Sequence, residues 1–127
     1  MAESIRPDLI LVIDALAAGN CERLATTIQL SNVGIVPGSG VGNHRSAITQ
    51  ETVGVPVISI GVPTVVDSST LVYDALRAAK IDQTDDFLRK VLENGQSFFV
   101  SPKESDVIIA CFSRLLSRVI SETFTGI

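Results

Sequence analysis

Two aspartates each close an apolar run, and they are the residues best placed to do chemistry. Asp14 follows the run D-L-I-L-V-I at residues 8–13, and Asp67 follows V-P-T-V-V. A carboxylate at the carboxyl end of a buried strand faces the crevice where α/β sheets bind ligands. Two such carboxylates can share one proton if their strand ends are adjacent. The alternative for each is helix capping, which is favoured for Asp67 because a helical pattern begins directly after it.

A glycine-rich loop is the second candidate site. Residues 37–43 read P-G-S-G-V-G-N, and glycine at alternate positions lets the backbone approach a ligand closely or form a tight compound turn. The order matches neither the phosphate loop GxxxxGK(S/T) nor the dinucleotide motif GxGxxG, and it is not the Gly-x-Ser-x-Gly of a nucleophile elbow. The predicted substrate-binding residues of this loop are Gly38, Ser39, Gly40, Gly42 and Asn43.

The other candidate groups are isolated along the chain. His44 is the only histidine and follows the glycine loop, where solvent exposure is usual. Cys21 lies in a polar segment without an identifiable base, and Cys111 falls on the apolar face of a predicted helix, so we expect it in the core. No CxxC or Cys/His cluster exists, which argues against structural zinc. We expect no metal and no cofactor.

The pattern of apolar and turn residues predicts the element order β, β, β, α, α, β, α. The predicted strands are residues 8–13, 25–30, 55–62 and 97–100, with a helical turn near 49–53. The predicted helices are residues 68–80, residues 85–93 with Thr84 as cap, and residues 101–124 with a capping box at Ser101 to Glu104.

Apolar strands combined with amphipathic helices indicate a three-layer α/β/α domain. The first strand is a continuous apolar run, which is typical of strands buried on both faces of a parallel sheet. The helices that would cover it are few and come late in the chain. We therefore expect the sheet to be covered by oligomerisation or by polypeptide upstream.

Composition narrows the class of protein. The chain has 127 residues, which suits one domain. Its net charge of −4 and pI near 4.8 argue against a nucleic-acid binder and against binding to an anionic membrane. No apolar stretch approaches the roughly 20 residues of a membrane span, and the first residues lack the order of a signal peptide. We expect a cytoplasmic protein.

Five ordered segments resemble the germination protease family. They cover nearly the whole chain except residues 69–94. They are P-D-L-I-L-V-I-D-A-L-A-A at 7–18, T-T-I-Q-L-S-N-V-G-I at 26–35, P-G-S-G-V-G-N-H-R at 37–45, G-V-P-V-I-S-I-G-V-P-T-V-V-D at 54–67 and V-S-P-K-E-S-D at 100–106.

The resemblance implies an aspartic-type endopeptidase that degrades small acid-soluble spore proteins in the spore core during germination. It also implies a three-layer fold of the phosphorylase/hydrolase type, similar to hydrogenase-maturation peptidases, and assembly as a homo-oligomer. The family uses two aspartates, and D-A-L-A-A places the second at Asp14. The first lies in the family's N-terminal half, which has no counterpart here. Residues 1–127 are therefore expected to form a single domain, the C-terminal portion of the peptidase, inactive alone.

Two alternatives stay open. The chain could be a non-catalytic module of the same fold that binds a peptide or serves assembly. It could also be a metal-assisted peptidase, because an acidic residue at a strand end binds nickel in the hydrogenase-maturation family. Asp14 would then need a second acid and a histidine, for which His44 is the one choice.

Overall fold

The structure, a computed structural model, describes residues 5–37, 46–82, 85–95 and 98–126. These residues form a mixed α/β fold with an open four-stranded sheet. The strands are β1 (Ile10–Ala18), β2 (Gln29–Ser31), β3 (Val57–Asp67) and β4 (Phe99–Val100). The helices are α1 (Gln50–Val53), α2 (Ser68–Ala78), α3 (Asp86–Asn94) and α4 (Ser105–Thr125), with a 3-10 turn at Cys21–Arg23.

Strand β3 is the centre of the sheet. It pairs with β1 in parallel on one side, and with β2 and β4 antiparallel on the other. The β1–β3 register sets Asp14 opposite Gly61 and then skips Thr64 of β3 between the pairs Leu16–Pro63 and Ala17–Val65. The sheet is therefore mixed, whereas the apolar run at the start of the chain had suggested a parallel one.

The prediction that Asp14 ends its strand is wrong. β1 continues through Ala18, so Asp14 is the fifth of its nine residues. The reason is that Ala15 to Ala18 keep pairing with β3, and Ala18 is buried against it. One polar residue does not end a strand when the residues after it still have a ladder partner and a surface to cover.

The predicted strand at 25–30 is also wrong for most of its length, because only Gln29–Ser31 pairs. Ala25 has a left-handed backbone with φ of 56°. The Thr26 hydroxyl donates to the Glu22 carbonyl at 2.6 Å, and the Thr27 hydroxyl donates to the Arg23 carbonyl at 3.2 Å. Short polar side chains that bond to nearby backbone compete with a ladder, and here they hold a local turn.

The helices follow the predicted pattern with one exception. Helices α2 and α3 begin and end within two residues of prediction, although Asp85 caps α3 and the predicted cap Thr84 lies outside the described residues. The capping box at Ser101 is wrong: α4 begins at Ser105 and has no side-chain cap. A turn closed by the Ser105 N–H on the Pro102 carbonyl, at 3.2 Å, precedes it.

The buried core lies along β3 and the end of β1. Helix α4 covers the sheet only with the half-buried residues of one ridge, so the prediction of Cys111 in the core is wrong and its side chain is exposed. None of the described helices has the length and apolarity needed to cross a bilayer. The buried apolar residues include Ala18, Val57, Ile60, Val62, Pro63 and Val66.

Candidate active site at Asp14

Asp14 is half-buried in the middle of β1, directly opposite Gly61 of β3. Gly61 has no side chain, and Leu16 occupies the space above it: a Cβ atom at this position would overlap the Leu16 Cδ1 atom. Glycine is therefore required by close packing between the two strands. The two strands are therefore tightly packed next to Asp14.

Asp14 borders a cavity of about 260 Å³ between the sheet and α4. The wall is mainly apolar, and its polar residues besides Asp14 are Thr64 and Ser113, which bear hydroxyl groups. The remaining lining residues are Ile13, Ala15, Val62, Ile109, Phe112 and Leu116.

Sequence reasoning did not find Thr64 or Ser113. Thr64 lies within an apolar run and is the residue that the β1–β3 register skips, a feature that the sequence does not signal. Ser113 lies on α4, about a hundred positions from Asp14, and only the packing of that helix over β1 brings it near. Both hydroxyls can donate or accept a hydrogen bond beside a substrate.

Asp67 caps α2, as its position in the sequence predicts. Its carboxylate accepts from the Ser69 N–H at 2.8 Å and from the Ser69 hydroxyl at 2.6 Å. A shared proton between Asp14 and Asp67 is not supported. Asp14 of β1 pairs with Gly61 of β3, and Gly61 lies six positions before Asp67 on β3. At the usual rise per residue of a strand, the two aspartates are therefore about 20 Å apart.

The glycine loop and His44 lie outside the described residues. This covers all five predicted substrate-binding residues, which therefore stay a prediction. The predicted loop residues concerned are Gly38, Ser39, Gly40, Gly42 and Asn43.

A second polar cluster joins the turn after β1 to α2. The Cys21 N–H donates to the Asp74 carboxylate at 2.9 Å, and Arg77 pairs with Asp74 at 3.3 Å. The backbone and thiol donors of Cys21, helped by the charge of Arg77, hold the pKa of Asp74 below its ordinary value of 3.8. The same thiol hydrogen bond, with burial and the negative charge of Asp74, raises the pKa of Cys21. This cluster lacks an activated thiolate.

The described residues offer no obvious metal centre. Within them, no group of three or more His, Cys, Asp and Glu side chains is close enough to hold an ion. The described residues that line the cavity supply one acidic side chain, two hydroxyls and apolar walls.

Comparison with known proteins decides the family. The profile described as germination protease matches residues 1–82, which include Asp14 and all of the β1–β3 pair. The chain belongs to the germination protease family. This confirms the resemblance read from the five sequence segments.

Three relatives show the extent of the match. A germination protease of Caldanaerobacter subterraneus subsp. tengcongensis is 42% identical over 143 aligned residues, covering 95% of this chain and 44% of the relative. One from Clostridium perfringens is 41% identical with the same coverage. One from a Geobacillus species is 55% identical over 76 residues, which is 60% of this chain and 20% of the relative. This germination protease chain spans less than half the length of these relatives.

Proposed function

We propose that the chain is the Asp14-bearing portion of an aspartic-type endopeptidase that degrades small acid-soluble spore proteins during germination. The observation that carries the proposal is the position of Asp14. It is a half-buried acidic residue that lines a largely apolar cavity, inside the region matched by the family profile. The named function of the relatives supplies the reaction class, since they are germination proteases.

The chemistry needs two carboxylates in different protonation states. One carboxylate activates water for attack on the peptide carbonyl, and the other donates a proton. Among the described residues that line the cavity, Asp14 is the only acidic one. A single copy of this chain therefore supplies one half of the pair, and we expect a monomer to have little or no peptidase activity.

Several finer features belong to the same proposal. We assign the chain a single three-layer α/β/α domain of the phosphorylase/hydrolase type, similar to hydrogenase-maturation peptidases. The glycine loop, with Gly38 to Asn43, would bind the substrate backbone. The protein would act in the cytoplasm of the spore core as a homo-oligomer, without a cofactor. The mixed α/β fold with its open sheet supports the fold assignment, and the exposed apolar side chains of α4 support the homo-oligomer.

A non-catalytic peptide-binding module of the same fold is the second candidate function. The observation that favours it is that Asp14 is the one acidic residue among the described residues that line the cavity. Such a module would keep the cavity and bind an extended peptide, but it would not depend on the ionisable character of Asp14. The Asp14 carboxylate therefore distinguishes the two functions.

A chimera tests the proposal. In the Caldanaerobacter germination protease, the aligned portion is replaced by this chain, and the product is incubated with a small acid-soluble spore protein. We expect specific cleavage fragments by mass spectrometry, and we expect their loss in the Asp14→Asn chimera. Asp8→Asn is the matched control, because Asp8 is exposed and precedes β1. Cleavage that survives Asp14→Asn contradicts the proposed role of Asp14.

A further inference from the structure

We propose that Asp74 is a positioning residue for the Asp14 site, because its carboxylate fixes the end of β1 in the register that leaves Thr64 unpaired beside the cavity. The Cys21 N–H, three positions after the last residue of β1, donates to the Asp74 Oδ2 atom at 2.9 Å. The meaning of this hydrogen bond for catalysis rests on the proposed function, whereas its effect on the strand does not.

The Cys21–Asp74 hydrogen bond closes a ring of chain at the ends of the two paired strands. Ala18, the last residue of β1, pairs with Val66 of β3, and α2 begins at Ser68 directly after β3. Cys21 and Asp74 are 53 positions apart in the sequence, yet Cys21 follows Ala18 by three positions and Asp74 follows Val66 by eight. A displacement of β1 along β3 therefore moves the Cys21 N–H relative to α2.

The register at the end of β1 has a competing alternative. Leu16 pairs with Pro63, and Ala17 pairs with Val65. The skipped residue between them, Thr64, interrupts the ladder, which a regular strand pair avoids. In the regular alternative, Ala17 would pair with Thr64. Because β1 ends in two alanines, side-chain packing there distinguishes only weakly between the two registers.

The hydrogen bond to Asp74 distinguishes the two registers by distance. Pairing without the skipped residue would displace the end of β1 by one position, which is about 3.3 Å along a parallel strand. N–H···O hydrogen bonds extend to about 3.2 Å, so the bond of 2.9 Å from the Cys21 N–H would be broken by a displacement of that size. The bond therefore favours the register that skips Thr64.

The acceptor side of the bond is held in place by α2. Arg77, about one helical turn after Asp74, lies 3.3 Å from the Oδ1 atom and leaves Oδ2 to accept from the Cys21 N–H. The start of the same helix is fixed as well, because the Ser68 N–H donates to the Phe98 carbonyl at 2.7 Å. The Asp74 carboxylate is therefore a fixed point to which the end of β1 is attached.

The donor side is held by the turn after β1. The Asn20 side chain accepts from the Arg23 N–H at 3.0 Å, which closes the 3-10 turn that begins at Cys21. The Ala25 N–H then donates to the carbonyl of Pro63 at 2.8 Å, next to the skipped residue of β3. The turn is thus attached to β3 before the irregularity and to α2 after it.

The register determines which side chain reaches the cavity at Asp14. An extra residue in a ladder is left unpaired, and beside an active site such an irregularity redirects a side chain. Thr64 is that residue, and it lines the same cavity as Asp14 and Ser113. Its hydroxyl can bond to a substrate carbonyl or to a water molecule there. Loss of the Asp74 bond should therefore lower the rate of the bound complex more than it lowers substrate affinity.

Hydrogen exchange of the β1 amides tests the bond without measuring cleavage. The chimera with the Caldanaerobacter germination protease carries either Cys21→Pro or Cys21→Ala. Proline fits the first position of a helical turn and removes the N–H, and Asn20 before it already has the extended backbone that proline requires. Alanine removes only the thiol. By mass spectrometry, we expect the amides of 15–18 to exchange about tenfold faster in the proline variant and within about twofold of the parent in the alanine variant.

Kinetics of the chimera separate positioning from stability. Asp74→Ala removes the acceptor, whereas Asp74→Asn keeps an amide oxygen for the Cys21 N–H. Asp67→Ala removes the N-cap of the same helix and leaves the Cys21 bond in place. At a temperature where all variants are folded by circular dichroism, we expect kcat of Asp74→Ala to fall about tenfold or more, with KM within about threefold. Asp74→Asn should recover kcat to within about threefold of the parent, and Asp67→Ala should stay within about twofold.

Two results would overturn the role of Asp74. Equal exchange rates in the Cys21→Pro and Cys21→Ala variants would show that the bond does not fix the end of β1. Equal losses of kcat in Asp74→Ala and Asp67→Ala would show that Asp74 only stabilises α2. Cleavage that survives Asp14→Asn would instead overturn the proposed function, and it would leave the exchange result standing because exchange is measured without substrate.

Discussion

Leu16 packs over Gly61, the residue that lies directly opposite Asp14 in the β1–β3 pair. The contact joins β1 to the central strand of the sheet two residues after Asp14, the only charged residue of β1. It also explains why β3 carries a glycine among branched side chains at this point. The packing of these two residues sets the local position of the strand that carries the proposed catalytic group.

Gly61→Ala should destabilise the protein because the new methyl group overlaps Leu16. Overpacking of this kind costs about 1–3 kcal/mol, measured as the free energy of unfolding in denaturant. Gly19→Ala is the control, since nothing lies within 4 Å of a Cβ there, and its effect should stay within about 0.5 kcal/mol. The Leu16→Ala, Gly61→Ala double variant should lose less unfolding free energy than the two single variants lose in total. Strictly additive losses would contradict the contact.

Asp67→Ala should cost about 1 kcal/mol of stability, because α2 loses its N-cap. Asp67→Asn should stay within a few tenths of a kcal/mol of the parent, since the amide oxygen can still accept from the Ser69 N–H. Thermal or chemical unfolding measures both. In the chimera, neither change should reduce cleavage by more than about twofold at a temperature where the protein is folded. A loss of cleavage rate as large as that of Asp14→Asn would show that Asp67 takes part in catalysis.

Asp74 should make stability depend on pH in the acid range. Its pKa in the folded chain lies below the ordinary 3.8, chiefly because the Cys21 N–H donates to it. The stabilisation is therefore fully present above the ordinary pKa and is lost as the pH falls through the lower folded value. Asp74→Asn should lower stability at neutral pH, and the difference from the parent should shrink below a pH of about 3.8. A difference that stays constant down to about pH 2 would contradict the assignment.

The two cysteines should differ in reactivity. Cys21 is half-buried, and its thiol bond to Asp74 raises its pKa, so little thiolate is present near neutrality. Cys111 is exposed on α4. Iodoacetamide should modify Cys111 first, as followed by peptide mass spectrometry, and Asp74→Asn should speed modification of Cys21. Faster modification of Cys21 than of Cys111 in the parent chain would contradict this environment.

Local signals predicted the elements that depend on local chemistry. Asp67 before the pattern of α2 and Gly95 after α3 mark helix ends through capping, which short-range hydrogen bonds decide. The capping box at Ser101 failed because the chain leaving β4 uses Pro102 for a turn before α4 begins. A capping pattern does not indicate whether the preceding strand leaves room for the first helical turn.

Long-range contacts decided the rest. The sequence pattern predicts that the first strand ends at Asp14. Pairing with β3, about forty-five positions later in the chain, extends β1 to Ala18. Cys111 was predicted in the core because helical periodicity places it on an apolar face. Whether the sheet is wide enough to cover that face depends on the tertiary structure, which periodicity does not show. The same holds for Thr64 and Ser113, which reach the cavity only through register and helix packing.

The rate of cleavage by the Asp14→Asn chimera, relative to the parent chimera and to Asp8→Asn, tests the catalytic role of Asp14 most directly. Removal of a general acid or base costs about 10²- to 10⁴-fold in rate. We predict a fall in kcat of that size for Asp14→Asn with KM within about threefold, and parent-like kinetics for Asp8→Asn. An Asp14→Asn chimera that keeps its kcat, or one that loses only substrate affinity, would show that the Asp14 carboxylate does not take part in catalysis.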